Sequence, residues 1–170
     1  MLKGYITNLG KYVEGQLIGK WIEFPIMEDE LEEVKEQIGI NEFYEEYFFT
    51  DWETEWDFEP YKEWGEYPDI EEVNTIAEEL ESIEYYGDLN WLWAYWEDNG
   101  GSLYDAVMNY VDNSRFYGID TYEIVYEYLN ECHGINECIL DSIITCMDLE
   151  DFISSYMHLD LTDYGYIECF

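Results

Sequence analysis

The chain has 170 residues, of which 42 are Asp or Glu and only 6 are Lys or Arg, so its formal net charge is −36. Because 48% of its residues are hydrophobic, it can bury a core, and this excludes an acidic disordered tail. The scarcity of basic residues excludes a nucleic-acid-binding protein, since such proteins contact phosphate through Lys and Arg.

The first third of the chain predicts a small antiparallel sheet with one helix. Apolar runs punctuated by glycines predict strands over residues 2–7 and 16–24, joined by a turn at residues 8–10. Apolar residues at helical spacing then predict a helix over residues 28–38, which ends at Gly39. The other face of this helix is acidic and carries Glu28, Asp29, Glu32, Glu33 and Glu36.

Residues 45–59 alternate acids with aromatic rings. The acids occupy every second position, at Asp51, Glu53, Glu55, Asp57 and Glu59, and the aromatic rings lie between them, at Phe48, Trp52, Trp56 and Phe58. In an extended strand this pattern predicts one aromatic face and one row of carboxylates about 6.8 Å apart. One strand of B-DNA carries a phosphate per roughly 3.4 Å of axis, so the row would carry about half of that linear charge. The same pattern also fits an ordinary amphipathic strand with an acidic solvent face.

From residue 68 onward the apolar period becomes helical. Asp69 followed by Glu72 predicts an N-cap, and a continuous apolar stripe then follows as far as Ile83. Three further helices are predicted to begin after the N-cap residues Asp88, Ser102 and Asp120. The remaining predicted elements are a strand at residues 115–117, helices at residues 135–147 and 149–157, and a strand at residues 164–170.

These elements predict an α+β fold made of three small subdomains. Residues 1–62 form the antiparallel sheet with its helix, residues 63–112 a helical bundle, and residues 113–170 mixed helices with a small sheet. The first boundary follows from the turn-like segment between Pro60 and Pro68, where the apolar period changes.

The chain shows no signature of catalysis. Carboxylate pairs near tryptophans occur in glycoside hydrolases, but acids are so abundant here that such pairs arise by chance. With two histidines and no glycine-rich phosphate-binding motif, no catalytic constellation stands out. We therefore expect a protein that is not an enzyme and that needs no cofactor.

The cysteines and the N-terminus predict the compartment. The spacing of Cys132, Cys138, Cys146 and Cys169 matches no zinc pattern, although His133 beside Cys132 keeps a metal site as a minor alternative. Reduced and mostly buried thiols are expected in a cytosolic protein. The N-terminus lacks an apolar signal core and no run approaches 18 apolar residues, so we expect a soluble cytoplasmic protein with no membrane contact.

The excess of carboxylates would complement a basic cleft on a partner protein. A DNA-binding enzyme draws affinity from Lys and Arg contacts to phosphate, and a fixed carboxylate array can occupy those contacts while offering no scissile bond. The candidate carboxylates are Glu45, Glu46, Asp51, Glu53, Glu55, Asp57, Glu59, Glu71, Glu72, Glu78, Glu79, Glu81, Asp112, Glu123 and Glu127. Solubility or a halophilic surface would also explain the charge, but neither requires 19% aromatic residues. Large rings are instead expected to replace Leu and Ile in the core, because each buries about 150–250 Å².

Two blocks of sequence resemble the antirestriction protein family known as ArdA. The first, YITNLGKYVEGQLIGKWIEFPI at residues 5–26, is similar to the opening of that family, and the second, YEEYFFTDWE at residues 44–53, is similar to its next block. WLWAYWEDNGGSLYDAVMNYVD at residues 91–112 and the ending DYGYIECF at residues 163–170 are more loosely similar.

The resemblance implies an elongated, three-part α+β protein, a homodimer joined through its C-terminal part, whose carboxylates imitate bent B-form DNA. It further implies binding to the methyltransferase core of type I restriction-modification enzymes, no catalytic residues, and carriage on mobile genetic elements. The alternative is an acidic protein that inhibits or binds another basic DNA-binding protein, such as a CRISPR effector, another defence system or a nucleoid protein.

Overall fold

The computed structural model describes the backbone of residues 1–170 and every side chain except that of Cys138. Helices account for 51% of the residues and strands for 20%, which confirms the predicted α+β class. The chain divides into two compact units, Met1–Gly87 and Asp88–Phe170. The three-part division at residues 62 and 112 stays a prediction.

The N-terminal unit places a three-stranded sheet beside four helices. Its elements are β1 (Leu2–Asn8), α1 (Leu9–Val13), β2 (Gly19–Phe24), α2 (Glu28–Gln37), β3 (Tyr47–Thr54), α3 (Pro60–Trp64) and α4 (Ile70–Tyr86). The strand order is β2-β1-β3, and both pairings are antiparallel. This confirms the predicted antiparallel sheet, although β2 is shorter than expected.

The predicted turn at residues 8–10 is wrong, because a short helix follows β1 directly. The Asn8 side chain accepts a hydrogen bond from the Lys11 amide at 2.9 Å and so caps α1. The same side chain donates from Nδ2 to the Ile38 carbonyl at 3.2 Å. Asn8 is fully buried, so both bonds are shielded from water and tie α1 to the end of α2.

Stacked aromatic rings form a cluster within the core of the N-terminal unit. Phe49 is fully buried, and its ring is stacked on Trp52 with centroids 4.8 Å apart. Trp52 also stacks on Phe24 at 5.8 Å. A Cβ atom at Gly4, on the central strand, would lie 2.6 Å from the Phe49 ring, so the rings occupy space that only glycine leaves open.

Helix α4 packs into this unit as the sequence predicts. Asp69 caps it by accepting from the amides of Glu71 and Glu72, and the predicted apolar stripe is buried at Val73, Ile76, Ala77, Leu80 and Ile83. Asn74 joins the helix to the segment after β2, because its amide both accepts from the Ile26 N–H at 2.8 Å and donates to the Ile26 carbonyl at 2.9 Å.

The C-terminal unit combines seven helical segments with a second small sheet. Its elements are α5 (Leu89–Asn99), α6 (Leu103–Asn113), β4 (Ser114–Gly118), α7 (Thr121–Glu127), a π-helical turn (Tyr128–Cys132), α8 (Glu137–Ile144), α9 (Leu149–Phe152), a second π-helical turn (Ile153–Met157), β5 (Asp160–Leu161) and β6 (Tyr166–Cys169). The antiparallel strands follow the order β4-β6-β5. The predicted N-caps are confirmed, since side chains of Asp88, Ser102 and Asp120 each accept from amides of the first helical turn.

The expectation of mostly buried thiols is wrong for the described cysteines. Cys132 and Cys146 are exposed, and Cys169 is half-buried. Cys132 lies in a π-helical turn and Cys146 follows the end of α8, where the chain leaves the core. Burial is the main cause that raises the pKa of the Cys169 thiol to about 11.

Candidate functional site

The acidic side chains lie at the surface almost without exception. Of the 42 Asp and Glu residues, all but three are exposed, and the exceptions, Glu63, Glu72 and Glu168, are half-buried. This is expected, because burying an unpaired carboxylate costs several kcal/mol. The N-terminal unit has 25 acids and 5 lysines, a net −20, and the C-terminal unit has 17 acids and one arginine, a net −16. Both units therefore carry the acidic surface.

The candidate carboxylates occupy loops, one strand and three helices. Glu45 and Glu46 precede β3, Asp51 and Glu53 lie on β3, Glu55, Asp57 and Glu59 lie between β3 and α3, Glu71, Glu72, Glu78, Glu79 and Glu81 lie on α4, Asp112 lies on α6, and Glu123 and Glu127 lie on α7. Fourteen of the fifteen are exposed. Glu72 differs, because it is half-buried and accepts a hydrogen bond from Trp64 Nε1 at 3.2 Å.

The predicted continuous strand over residues 45–59 is wrong, because β3 ends at Thr54. The Thr54 hydroxyl accepts from the Trp56 amide at 3.1 Å, and the Trp56 carbonyl accepts from the Phe58 amide at 2.9 Å, so the chain turns here. The turn buries the Trp56 indole, which is 7% exposed. Removing this large apolar ring from water outweighs the local preference of the alternating pattern for a strand.

The predicted aromatic face of this strand is also divided between two sides. A β-bulge interrupts the pairing of β1 with β3. Ile6 pairs with Phe49 and Tyr5 pairs with Asp51, so Thr50 is an extra residue on β3. An extra residue reverses the alternation of side chains beyond it. Trp52 therefore shares the core side with Phe49. Phe48 lies on the same side as Asp51, where its ring contacts Tyr12 and Tyr67.

Most of the predicted row still shares one surface. An open groove of about 610 Å³ is lined by four of its five carboxylates, Asp51, Glu53, Glu55 and Glu59. Lys3 and the N-terminal residue also line it, and the terminal ammonium lies 3.7 Å from Glu55. The row is thus a bent cluster that combines a strand end with a turn.

Tryptophans hold two carboxylates of α4 in fixed positions. Trp56 Nε1 donates to Glu84 Oε2 at 3.0 Å, and Trp64 Nε1 donates to Glu72 at 3.2 Å. Each indole is anchored by burial or by ring contacts, and Trp64 lies 5.3 Å from the Trp52 ring. Hydrogen bonds to an ionised acceptor are stronger than neutral ones, so these contacts restrict the rotamers of both glutamates.

The acidic face of α2 is the densest row of carboxylates, and the candidate set does not include it. Glu28, Asp29, Glu32, Glu33 and Glu36 are all exposed and together line one open depression. They occupy nine residues, or about 13.5 Å of helix axis, which gives about one carboxylate per 2.7 Å. B-DNA has one charge per roughly 1.7 Å as a duplex and per roughly 3.4 Å in one strand. The spacing of four residues between these acids is the signal in the sequence that identifies the row.

Helix α2 holds this row rigidly. Leu31 and Val34, on its opposite face, are 7% exposed and belong to the core. The acids at its first turn lie near the positive end of the helix dipole, which stabilises them. Lys35 lies 2.7 Å from Glu32, so the net charge of the row is close to −4. This corresponds to about one charge per 3.4 Å, close to the value for a single DNA strand.

The basic side chains pair locally and interrupt the acidic surface very little. Lys3 lies 3.7 Å from Glu23, Lys11 lies 3.6 Å from Glu14, and Lys62 lies 2.7 Å from Glu59. Lys20 donates to Gln37 at 2.7 Å. Such exposed pairs contribute less than about 1 kcal/mol to stability, and their main consequence is that no basic patch forms.

Arg115, the single basic residue of the C-terminal unit, lies in an acidic groove. The groove measures about 650 Å³ and includes Glu127, Glu131 and Glu168. The Tyr117 hydroxyl donates to Glu168 at 3.2 Å, and burial is the main cause that raises the pKa of this tyrosine. A hydrogen bond from the guanidinium to Tyr117 is the main cause that raises the pKa of Arg115. The arginine thus shares its groove with three carboxylates.

Among the described side chains, three or more His, Cys, Asp or Glu residues nowhere converge in a way that could hold a metal ion. None of the helices, within the residues described, combines the length and apolar character needed to cross a bilayer.

One comparison with known proteins identifies the family. The family model described as antirestriction protein (ArdA) matches residues 4–168, which is nearly the whole chain. No curated protein sequence matches the chain significantly. The chain belongs to the ArdA family of antirestriction proteins.

Proposed function

We propose that this protein inhibits type I restriction-modification enzymes by competing with DNA for the methyltransferase core. The observation that carries the proposal is the acidic face of α2, where five exposed carboxylates approach the linear charge of a DNA strand. An enzyme that binds DNA through Lys and Arg gains similar ion pairs from such a surface, and counterions are released in the same way. Membership of the ArdA family supports this function.

The rigidity of the carboxylates supports mimicry of a shape over simple charge attraction. The acids of α2 are carried on a helix whose opposite face is in the core, and Trp56 holds Glu84 on α4. A preorganised array loses little conformational entropy on binding, whereas a flexible acidic tail would have to be ordered. The array also offers no phosphodiester bond, so a bound enzyme has nothing to cleave.

Competition experiments with the methyltransferase core test this function. We expect duplex DNA carrying the recognition site to displace the protein, and we expect Kd to rise about 10³-fold or more between 50 and 200 mM salt, as for proteins with six to ten phosphate contacts. Binding that neither duplex DNA nor salt affects would contradict the proposal. Kd values measured for a panel of other basic DNA-binding proteins show whether the inhibitor prefers restriction-modification enzymes.

We further propose that the active form is a homodimer. Helix α6 has an exposed apolar stripe in addition to its buried face, with Tyr104, Met108 and Val111 exposed by 37%, 43% and 55%. These residues are spaced by four and three positions, so they lie on one side of the helix. A second copy that covers this stripe would double the number of carboxylates and strengthen binding through effective concentration.

Sedimentation across ionic strength tests the dimer. Two copies with a formal charge of −36 each repel one another, so added salt should strengthen an apolar interface. Met108→Asp should give a monomer, while Asn109→Asp, on an exposed position of the same helix, should leave the dimer intact. A dimer that dissociates as salt increases would contradict an apolar interface.

A further inference from the structure

The N-terminal unit also exposes an apolar patch that DNA mimicry does not explain. Phe43 is 89% exposed and Val13 is 78% exposed, which is unusual for such large apolar side chains. Both line one open groove of about 650 Å³, which Tyr44 also lines. DNA has no equivalent of a protruding phenyl ring, so mimicry of its charge gives this patch no role.

The segment that carries Phe43 is held in one conformation. Asn41 Oδ1 accepts from the amides of Phe43 at 2.8 Å and Tyr44 at 3.3 Å, and the backbone of Asn41 pairs with that of Tyr44. The Tyr44 ring packs on Gly10 so closely that a Cβ atom there would lie 2.4 Å away. Lys11 Nζ lies 4.0 Å from the centre of the same ring. Phe43 is therefore presented by a fixed turn.

The charged residues that line the groove and form its rim are all acidic, although the neighbouring Lys11 pairs with Glu14, and this charge indicates the class of partner. Glu14, Glu42, Glu45 and Glu46 line it, and all four are exposed. Tyr44 donates to Glu14 at 2.8 Å, which fixes one side of the rim. Another copy of this chain would bring further negative charge against this rim, so self-association here is unfavourable. A basic protein surface complements it.

We propose that Phe43 and Val13 form an apolar anchor that inserts into an apolar depression on the target enzyme, where Lys or Arg side chains around that depression pair with the acidic rim. This inference rests on the proposed function, and it adds a contact that the enzyme does not make with DNA. An apolar centre with a charged rim is the usual composition of an energetically important site in a protein interface. The anchor adds affinity that salt does not screen and that distinguishes the inhibitor from DNA.

Variants at this patch test the anchor by their dependence on salt. For Phe43→Ala, we expect Kd for the methyltransferase core to rise about tenfold or more at both 50 and 200 mM salt. The variant loses a phenyl ring that the complex would bury, and it changes no charge. Phe43→Leu keeps an apolar side chain, so its Kd for the same enzyme should rise by less than about threefold. The double variant Glu45→Gln with Glu46→Gln should weaken binding mainly at low salt.

Tyr86→Ala is the matched control, since Tyr86 is 82% exposed in the same unit but does not line the groove. Its Kd should stay within about twofold of the parent value. A Phe43→Ala variant that binds the enzyme as tightly as the parent protein would overturn the anchor, and so would a Tyr86→Ala variant that loses as much affinity as Phe43→Ala. Either result would leave competition with DNA intact. Failure of the parent protein to bind the enzyme would overturn the proposed function and the anchor with it.

Discussion

The two units hold similar acidic surfaces on different cores. In the N-terminal unit the rings of Phe24, Phe49 and Trp52 pack on one another. In the C-terminal unit one core cluster is mainly aliphatic and consists of Ile124, Val125, Leu129, Leu140, Ile144, Ile153, Met157, Leu159 and Tyr166. The other aromatic side chains that pack against this cluster, such as Tyr128 and Phe152, are only partly buried.

The difference shows where aromatic residues compensate for charge. Both units bury Leu and Ile, but the N-terminal unit also buries five large rings, Phe24, Phe48, Phe49, Trp52 and Trp56, whereas the C-terminal unit buries three, Trp93, Tyr110 and Tyr166. The indoles of the N-terminal unit also donate hydrogen bonds to Glu72 and Glu84, which aliphatic side chains cannot do. An aromatic core thus serves both burial and the positioning of carboxylates.

The largest expected effect is the loss of a ring from the aromatic core. Phe49→Ala should lower the free energy of unfolding by about 3–5 kcal/mol, because it removes a fully buried ring and leaves a cavity beside Trp52. Chemical denaturation followed by tryptophan fluorescence measures this. Phe43→Ala is the control at an exposed position and should change stability by less than about 0.5 kcal/mol.

The corresponding test in the aliphatic core is Leu140→Ala. Leu140 is fully buried, so its truncation should cost about 3 kcal/mol, within the usual range of roughly 2–5. Circular dichroism during denaturation follows the helices of this unit. A cost below about 1 kcal/mol would mean that the C-terminal core collapses around the cavity and is packed more loosely than the aromatic one.

Thiol labelling tests the burial of Cys169 in the C-terminal unit, which holds all four cysteines. In a Cys138→Ser background at pH 8, Cys169 should react at least about tenfold more slowly than the exposed Cys132 and Cys146, because a pKa of about 11 leaves little thiolate. Its rate should rise as the pH approaches 11. Equal rates for all three would contradict the burial of Cys169.

Helix caps provide a matched pair, one in each unit. Asp69→Ala and Asp88→Ala should each cost about 1 kcal/mol of stability, with Asp69 the larger because its carboxylate accepts from two amides and that of Asp88 from one. Asn preserves the cap and removes the charge, so Asp69→Asn should cost only a few tenths of a kcal/mol. A stabilising Asp69→Ala variant would show that charge repulsion outweighs the cap.

The smallest expected effects come from single carboxylates. Glu33→Gln on α2 should weaken binding to the methyltransferase core by less than about 1 kcal/mol, and further neutralisations on α2 should add to it and reduce the dependence on salt. Equivalent changes at Glu123 and Glu127 measure the contribution of the C-terminal unit. A single substitution on either unit that abolishes binding would contradict an array of shallow, additive contacts.

Local signals in the sequence predicted much of the fold. The caps at Asp69, Ser102 and Asp120 and the apolar stripe of α4 were predictable because helix ends and amphipathic faces depend on residues within a few positions. The candidate carboxylates were expected at the surface, and fourteen of fifteen are exposed. The four-residue spacing of the acids on α2 is visible in the sequence as well.

The arrangement around β3 could not be predicted in the same way. Whether Trp56 continues the strand or turns into the core depends on Glu84, which is distant in sequence and accepts a hydrogen bond from its indole. The bulge at Thr50 likewise depends on pairing with β1, and it alone decides that Phe48 and Trp52 face opposite sides. The exposure of Phe43 depends on how Tyr44 packs against Gly10.

The sequence by itself determined the acidic character, the α+β class and the positions of most helices, because charge, periodicity and capping are local properties of the chain. Only the tertiary structure decided which carboxylates share a surface and which are held still. The physical reason is that burial of large rings and long-range hydrogen bonds contributes more than the local preference of any alternating segment, so packing sets where the chain turns and which way its acids face.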